Sequence, residues 1–90
     1  MEHTNRMDIV AIILESATGK VGKTKMMYNA FLSYNQLREY LAALQENGLL
    51  EYEQGSRIYK ITDKGIHFLQ IYNHVDNLVT PSQYLKYGNI

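Results

Sequence analysis

Residues 32–50 contain the start, the buried face and the end of one amphipathic helix, and they constrain the fold more than any other stretch. Ser33 is a favourable N-cap, and Gln36 three residues later completes a capping box. Apolar side chains follow with the helical spacing i, i+3, i+4, i+7 at Leu37, Tyr40, Leu41 and Leu44. Gly48 is placed to end the helix. The sequence therefore predicts a helix over residues 33–47 with one buried side.

The opposite side of this predicted helix carries Asn35, Arg38, Glu39 and Ala42. A helix anchored on one side can present such side chains to base edges in the major groove of DNA. Asparagine suits adenine, arginine suits guanine, and glutamate can accept from cytosine. We therefore predict base contacts by Asn35, Arg38 and Glu39. An ordinary amphipathic helix with a solvated polar face would show the same pattern.

Two shorter helices precede this one. The first is predicted from about Thr4 or Asn5 to about Thr18, and glycines at positions 19 and 22 break it. The second is predicted over residues 24–30, with a brief turn at Phe31-Leu32 before the next helix. Two helices joined by so short a turn form a helix-turn-helix.

After Gly48 the apolar period changes from 3.6 to 2, which indicates a β-hairpin. A two-residue turn at Gly55-Ser56 would close it. Counting outward from that turn predicts four pairs, Gln54 with Arg57, Tyr52 with Tyr59, Glu51 with Lys60, and Leu50 with Ile61. The tip of this hairpin, with Gln54, Ser56 and Arg57, is expected to reach a neighbouring groove of DNA or its phosphates.

A long last helix is predicted from Thr62, its N-cap, to residue 79, with Asp63 favourable in the first turn. Ile66 and Leu69 form one apolar line on it. A broader line is formed by Phe68, Ile71, Tyr72, Val75, Leu78 and Val79. One line is expected to pack on the core and the other, the broader one, to form a dimer interface. Pro81 is expected to mark the end of the helix.

The chain has 90 residues, 46% hydrophobic and 20% charged, which predicts one small globular domain. It has no cysteine, so disulfides and thiolate zinc sites are excluded. No apolar run approaches the ~18 residues of a membrane span, and nothing resembles a signal peptide. We expect a cytoplasmic protein with no membrane partner.

The net charge is zero, which counts against a purely electrostatic nucleic-acid binder, but the charges are unevenly distributed. Residues 16–38 contain four basic side chains and no acidic one, and residues 39–53 contain four glutamates and no basic side chain. The basic segment includes the start of the predicted recognition helix. We predict contacts to the DNA backbone by Lys20, Lys23, Lys25, Ser33 and Tyr34.

Two motifs of the chain are characteristic. The first is Lys23, Thr24, Met27, Tyr28, Ala30, Leu32, Ser33 and Tyr34, and the second is Tyr59, Ile61, Thr62, Lys64 and Gly65. In these motifs the chain resembles the small archaeal winged helix-turn-helix regulators. The resemblance implies a winged helix fold, mainly α with a small hairpin (α+β), in the order α-α-α-β-β-α. It also implies sequence-specific binding of double-stranded DNA as a homodimer, since some members dimerise through the long last helix.

On this basis residues 1–79 are expected to form the winged domain, with residues 62–79 as its dimerisation helix and residues 54–57 as its wing. Residues 80–90 are expected to form a tail. Its Tyr84, Leu85 and Tyr87 favour a tail folded back on a surface, although an exposed tail fits the sequence too.

Other chemistries have weaker support. Residues 17–24 lack one glycine of a Walker A loop and follow a helix instead of a strand. His67 and His74 share a side of the last helix without a third ligand. We therefore expect no enzyme, metal, cofactor or small-molecule ligand. The main alternative to a DNA-binding regulator is a protein-interaction module of the same fold, and an RNA-binding winged helix is the third possibility.

Overall fold

The computed structural model describes residues 5–79, with side chains described for residues 5–75. Its elements are α1 (Arg6–Ser16), α2 (Lys23–Ala30), α3 (Tyr34–Glu46), β1 (Leu50–Glu53), β2 (Ile58–Ile61) and α4 (Asp63–Val79). This order confirms the predicted fold class. Within the described range no helix is both long and apolar enough to cross a membrane. The predictions for Pro81 and for the tail of residues 80–90 lie outside the described residues.

Helix α1 begins one residue after its cap. The Asn5 side chain accepts a hydrogen bond of 2.8 Å from the N–H of Asp8, which satisfies one of the free donors of the first turn. The helix ends at Ser16, two residues earlier than predicted, and a short 3-10 turn, Ala17–Gly19, continues it.

Helix α3 begins and ends as predicted. The Ser33 hydroxyl accepts from the Gln36 N–H at 3.2 Å, and the Gln36 side-chain oxygen accepts from the Ser33 N–H at 2.9 Å. At the other end Gly48 has a left-handed φ of 76°. The N–H groups of Gly48 and Leu49 donate to carbonyls of the last helical turn, as in a Schellman motif. Both ends of the helix are therefore fixed by specific hydrogen bonds.

The hairpin has the predicted register. Leu50 pairs with Ile61, Glu51 with Lys60, and Tyr52 with Tyr59. The rings of the two tyrosines lie 4.7 Å apart, and the Lys60 ammonium lies 3.8 Å from the Glu51 carboxylate. Aromatic and opposite-charge pairs of this kind stabilise an antiparallel ribbon.

The predicted two-residue turn of the hairpin is wrong. The strands end at Glu53 and Ile58, so the loop has four residues, 54–57, and Gln54 does not pair with Arg57. The Arg57 N–H closes the loop by donating to the Glu53 carbonyl at 2.7 Å. Arg57 itself has a φ of 58° and thus supplies the left-handed residue that such a loop needs, in place of Gly55.

A third extended segment, not predicted, joins the hairpin to the helices. Val21, between α1 and α2, forms two backbone hydrogen bonds with Tyr59 of β2, at 2.9 and 2.7 Å. Strands are predicted from alternating apolar and polar residues. A single bridging residue shows no alternation, so the sequence could not reveal it. The bridge fixes the start of α2 beside strand β2 of the hairpin.

The core lies between the first three helices and the hairpin, and α4 packs on it beside α1. Its four largest fully buried side chains are Ile13, Leu14, Met26 and Leu37. The other buried apolar residues are Ala11, Ala17, Val21, Ala30, Leu41, Leu44, Leu50, Tyr59 and Leu69. Burying one large aliphatic side chain contributes about 1.5–3 kcal/mol, so these residues anchor the apolar side of α3 firmly.

Thr62 caps the start of helix α4, as predicted. The Thr62 hydroxyl accepts from the Gly65 N–H at 3.0 Å and donates to the Gly48 carbonyl at 2.6 Å. The Lys64 ammonium donates to the Asn47 carbonyl at 2.8 Å. The start of α4 is thereby tied to the end of α3.

The apolar side chains of α4 are divided differently from the two predicted lines. Leu69 is buried, while Phe68 and Tyr72 are half-buried against the core of their own chain. The Tyr72 hydroxyl also donates to the Asp8 carboxylate of α1. Ile66 is exposed, and so are Ile71 and Val75, by 50% and 48%. The predicted interface side chains of Leu78 and Val79 lie beyond those that the structure describes.

Candidate nucleic-acid interface

One side of α3 is open to solvent along its length. Asn35, Arg38, Glu39 and Ala42 are all exposed and line one shallow depression. Leu37, Leu41 and Leu44 on the opposite side are buried. The side chains predicted to contact bases therefore share an accessible face of a rigidly held helix.

Tyr34, the first residue of α3, connects this face with α2. The Lys23 ammonium lies 5.1 Å from the centroid of the Tyr34 ring, and the Arg38 guanidinium carbon lies 5.9 Å from it. Cations at such distances from an aromatic ring are attracted by its electron-rich face. Tyr34 therefore holds together one cation predicted to contact phosphate and one predicted to contact a base.

A second depression is lined by cations from two separate parts of the chain. Lys23 and Lys25 come from the first turn of α2, and Arg57 comes from the tip of the hairpin. The remaining lining residues are Gly22, Thr24, Tyr28 and Asn29, so none of the described lining side chains is acidic. We call Lys23, Lys25 and Arg57 the basic surface. The bridge between Val21 and Tyr59 explains why the hairpin tip and the start of α2 meet.

Four other predicted contact residues, Lys20, Ser33, Gln54 and Ser56, do not line this depression. Lys20 is exposed in the loop before α2, and Gln54 is exposed in the hairpin loop. The Ser33 hydroxyl accepts the capping hydrogen bond of α3, and the Ser56 hydroxyl donates to the Glu53 carboxylate at 2.9 Å. Both serines thus have an intramolecular partner.

Tyr59 lies close enough to the basic surface for the charge of Lys23 to act on its hydroxyl. It is buried, and burial raises the pKa of its hydroxyl above the usual 10.0, while the positive charge of Lys23 acts in the opposite direction. The neutral ring packs, at an interplanar angle of 42°, against Tyr52, its partner across the hairpin.

Two exposed aromatic residues were missed by the sequence predictions, Tyr28, which lines the basic depression, and Phe31, three residues further along the chain. Tyr28 and Phe31 are exposed by 82% and 90%. The helical spacing of α2 could have predicted the exposure of Tyr28, because position 28 lies opposite the buried Met26 and on the same side as Lys25. The exposure of Phe31 depends on the geometry at the end of α2, which the spacing does not reveal.

A helix-turn-helix followed by a β-hairpin whose tip meets the same surface defines the winged class of these domains. A family model described as winged helix-turn-helix matches residues 4–80. The chain belongs to the winged helix-turn-helix family. Among curated proteins, none matches the chain at a significant level.

Proposed function

We propose that this domain binds double-stranded DNA in a sequence-specific manner as a homodimer, and that it is a transcriptional regulator like the small archaeal proteins it resembles. In this proposal the recognition helix, residues 33–47, enters the major groove, and the wing, residues 54–57, contacts the flanking groove. The observation that carries the proposal is the exposed face of α3 beside the basic surface, on a helix whose leucines are buried.

Base reading is assigned to the exposed face of α3. Asn35 can make two hydrogen bonds to adenine, and Arg38 can make two to guanine. The Glu39 carboxylate can accept a hydrogen bond from the amino group of cytosine. In that position the carboxylate faces a base edge and not the phosphate backbone. The contact between Arg38 and the Tyr34 ring supports this assignment, because it limits the conformations of a long side chain before DNA is bound.

Backbone contacts are assigned to the basic surface, with Lys20, Ser33 and Tyr34 beside it. A chain of zero net charge can attract DNA locally if its acidic groups lie elsewhere. The position of the glutamates supports this, since Glu51 on the hairpin pairs with Lys60 and does not line the basic depression.

Homodimerisation is assigned to α4. Phe68 and Tyr72 belong in part to the core of their own chain, so the predicted contact depends most on Ile71 and Val75 among the described side chains. A symmetric pairing of this face would bury it in both copies. Such a dimer would read two half-sites about 34–36 Å apart or a multiple of that distance.

The test is a selection of binding sites from random duplexes, followed by titration of the preferred duplex at about 50 and 200 mM salt. We expect a preferred sequence and an affinity that falls steeply with salt. A failure to bind any duplex at the lower salt would contradict the proposal and favour a protein-interaction module. A preference for structured RNA over duplex DNA in the same titration would contradict it as well.

A further inference from the structure

The two most exposed large apolar side chains among the described residues are neighbours. Tyr28 lies two residues before Ala30, the last residue of α2, and Phe31 directly follows Ala30. Apolar rings left in solvent contribute little to the stability of a small domain, and clusters of them mark binding surfaces. Neither ring is needed to complete the core described above.

The backbone at Phe31 adds a second observation. Phe31 has φ 56° and ψ 45°, a left-handed conformation that glycine adopts without strain and phenylalanine does not. The N–H groups of Phe31 and Leu32 donate to carbonyls of the last turn of α2. Gly48 occupies the equivalent position at the end of α3. Stability alone would therefore favour glycine at position 31, so the phenylalanine lowers the stability of the domain.

The surroundings of Tyr28, three residues before Phe31, indicate which partner the two rings fit. Tyr28 lines the same depression as Lys23, Lys25 and Arg57, with no acidic side chain in that lining. Tyr34, a third partly exposed ring, carries the Lys23 ammonium on its face. Charged side chains are depleted at the centre of protein–protein interfaces, so lysines among the rings argue against a protein partner.

Aromatic rings beside cations match the chemistry of unpaired nucleotides, because bases stack on the rings and phosphates pair with the cations. The bases of an intact duplex are already stacked and present only their edges. We propose that Tyr28 and Phe31, with the basic surface, form a second nucleic-acid site that binds a single-stranded segment by stacking. This site shares the basic surface with the proposed duplex site, but it is separate from the base-reading face of α3 and does not require that face to function.

Fluorescence provides a direct test of stacking, because the chain contains no tryptophan. The Phe31→Trp variant places one reporter in the site, and Ile66→Trp places one on an exposed side of α4, outside the proposed dimer interface, as a matched control. The probe is an oligothymidylate of about ten nucleotides, within the usual range of such sites. We expect quenching of the reporter at position 31 and none at position 66. Equal quenching at both positions would overturn the proposal. An absence of quenching at position 31 would overturn it too, and would favour a protein as the partner of the two rings.

Affinity measurements separate stacking from folding. Replacing Tyr28 by alanine should weaken oligothymidylate binding about ten-fold, and Phe31→Gly should do the same. Phe31→Gly should also melt at a higher temperature, so that its loss of binding cannot come from unfolding. Unchanged oligothymidylate affinity in both variants would contradict the proposal.

Duplex binding distinguishes this site from the proposed function. Arg38→Ala should weaken the preferred duplex and leave oligothymidylate binding within about two-fold, since Arg38 is not among the lining residues of the basic depression. Equal losses of both ligands in Arg38→Ala would show one shared site and overturn the proposal of a second one.

Discussion

The Lys23 ammonium lies 5.1 Å from the centroid of the Tyr34 ring, so the first residue of α2 and the first residue of α3 meet at one aromatic surface. Arg38, one turn further along α3, approaches the same ring. Two cations are thus placed on one ring before any DNA is bound. The contact links the two helices at the end that is proposed to face DNA.

This contact predicts that the ring of Tyr34 matters more than its hydroxyl. Tyr34→Leu should weaken binding to the preferred duplex by about 0.5–1 kcal/mol and reduce discrimination at the base read by Arg38, because both cations lose the ring. Tyr34→Phe keeps the ring and should retain most of the affinity. Titration of both variants against matched duplexes measures the difference. An equal loss in the two variants would assign the role to the hydroxyl instead.

Replacing Gly65 by alanine is predicted to destabilise the domain. A Cβ atom at this position would lie 2.5 Å from the Leu49 carbonyl oxygen and 2.6 Å from Ile61 Cγ1. Crowding of this kind costs about 1–3 kcal/mol, so Gly65→Ala should lower the free energy of unfolding by that amount. Gly19→Ala is the control, because no atom lies within 4 Å of the added Cβ. Denaturant unfolding of both variants decides the point, and equal midpoints would contradict it.

Tyr59 predicts a loss of stability in alkaline solution. Burial raises the pKa of its hydroxyl above the usual 10.0, so the folded state holds the proton more tightly than the unfolded state. The stabilisation is therefore complete below pH 10.0 and is lost as the pH rises toward and through the folded pKa. Tyr59→Phe cannot ionise and should lose less stability over that range. Denaturant midpoints from pH 8 upward test this, and parallel curves for the two proteins would rule it out.

The exposed strip of α4 predicts the oligomeric state. Ile71 and Val75 are half exposed on one side of the helix, while Ile66 is exposed on another. Charges placed in a symmetric apolar interface meet their own copies, so Ile71→Glu with Val75→Glu should produce a folded monomer. Ile66→Glu should leave the dimer intact. Sedimentation equilibrium provides the masses, and a native protein that is already monomeric would contradict the assignment.

In the hairpin, the sequence predicted the pairing of the strands but not the conformation of the loop. Its register followed from alternating apolar residues and from the pairing of Glu51 with Lys60, because a shift by one residue would reverse every side chain. The loop conformation did not follow, since Arg57 adopts the left-handed conformation that the sequence would assign to Gly55. Local chemistry thus determined the strands, whereas the loop depended on its own hydrogen bonds.

The candidate site was predictable for α3 and less so around it. The capping box, the leucine spacing and Gly48 defined which side of α3 is exposed. The basic surface could not be predicted, because it forms only where α2 contacts the wing. That contact depends on the backbone bridge of Val21, and a backbone bridge leaves no pattern of side chains in the sequence. Phe31 was missed for a related reason, because a left-handed helix end is expected at glycine.

The most direct test of the central claim is a comparison of Arg38→Ala with Lys25→Ala on the preferred duplex and on duplexes with single base changes. Arg38→Ala should lose about 1–3 kcal/mol on the preferred duplex and stop discriminating at one base pair. Lys25→Ala should weaken every duplex alike and reduce the salt dependence. A uniform loss across all duplexes in Arg38→Ala would contradict base reading by α3.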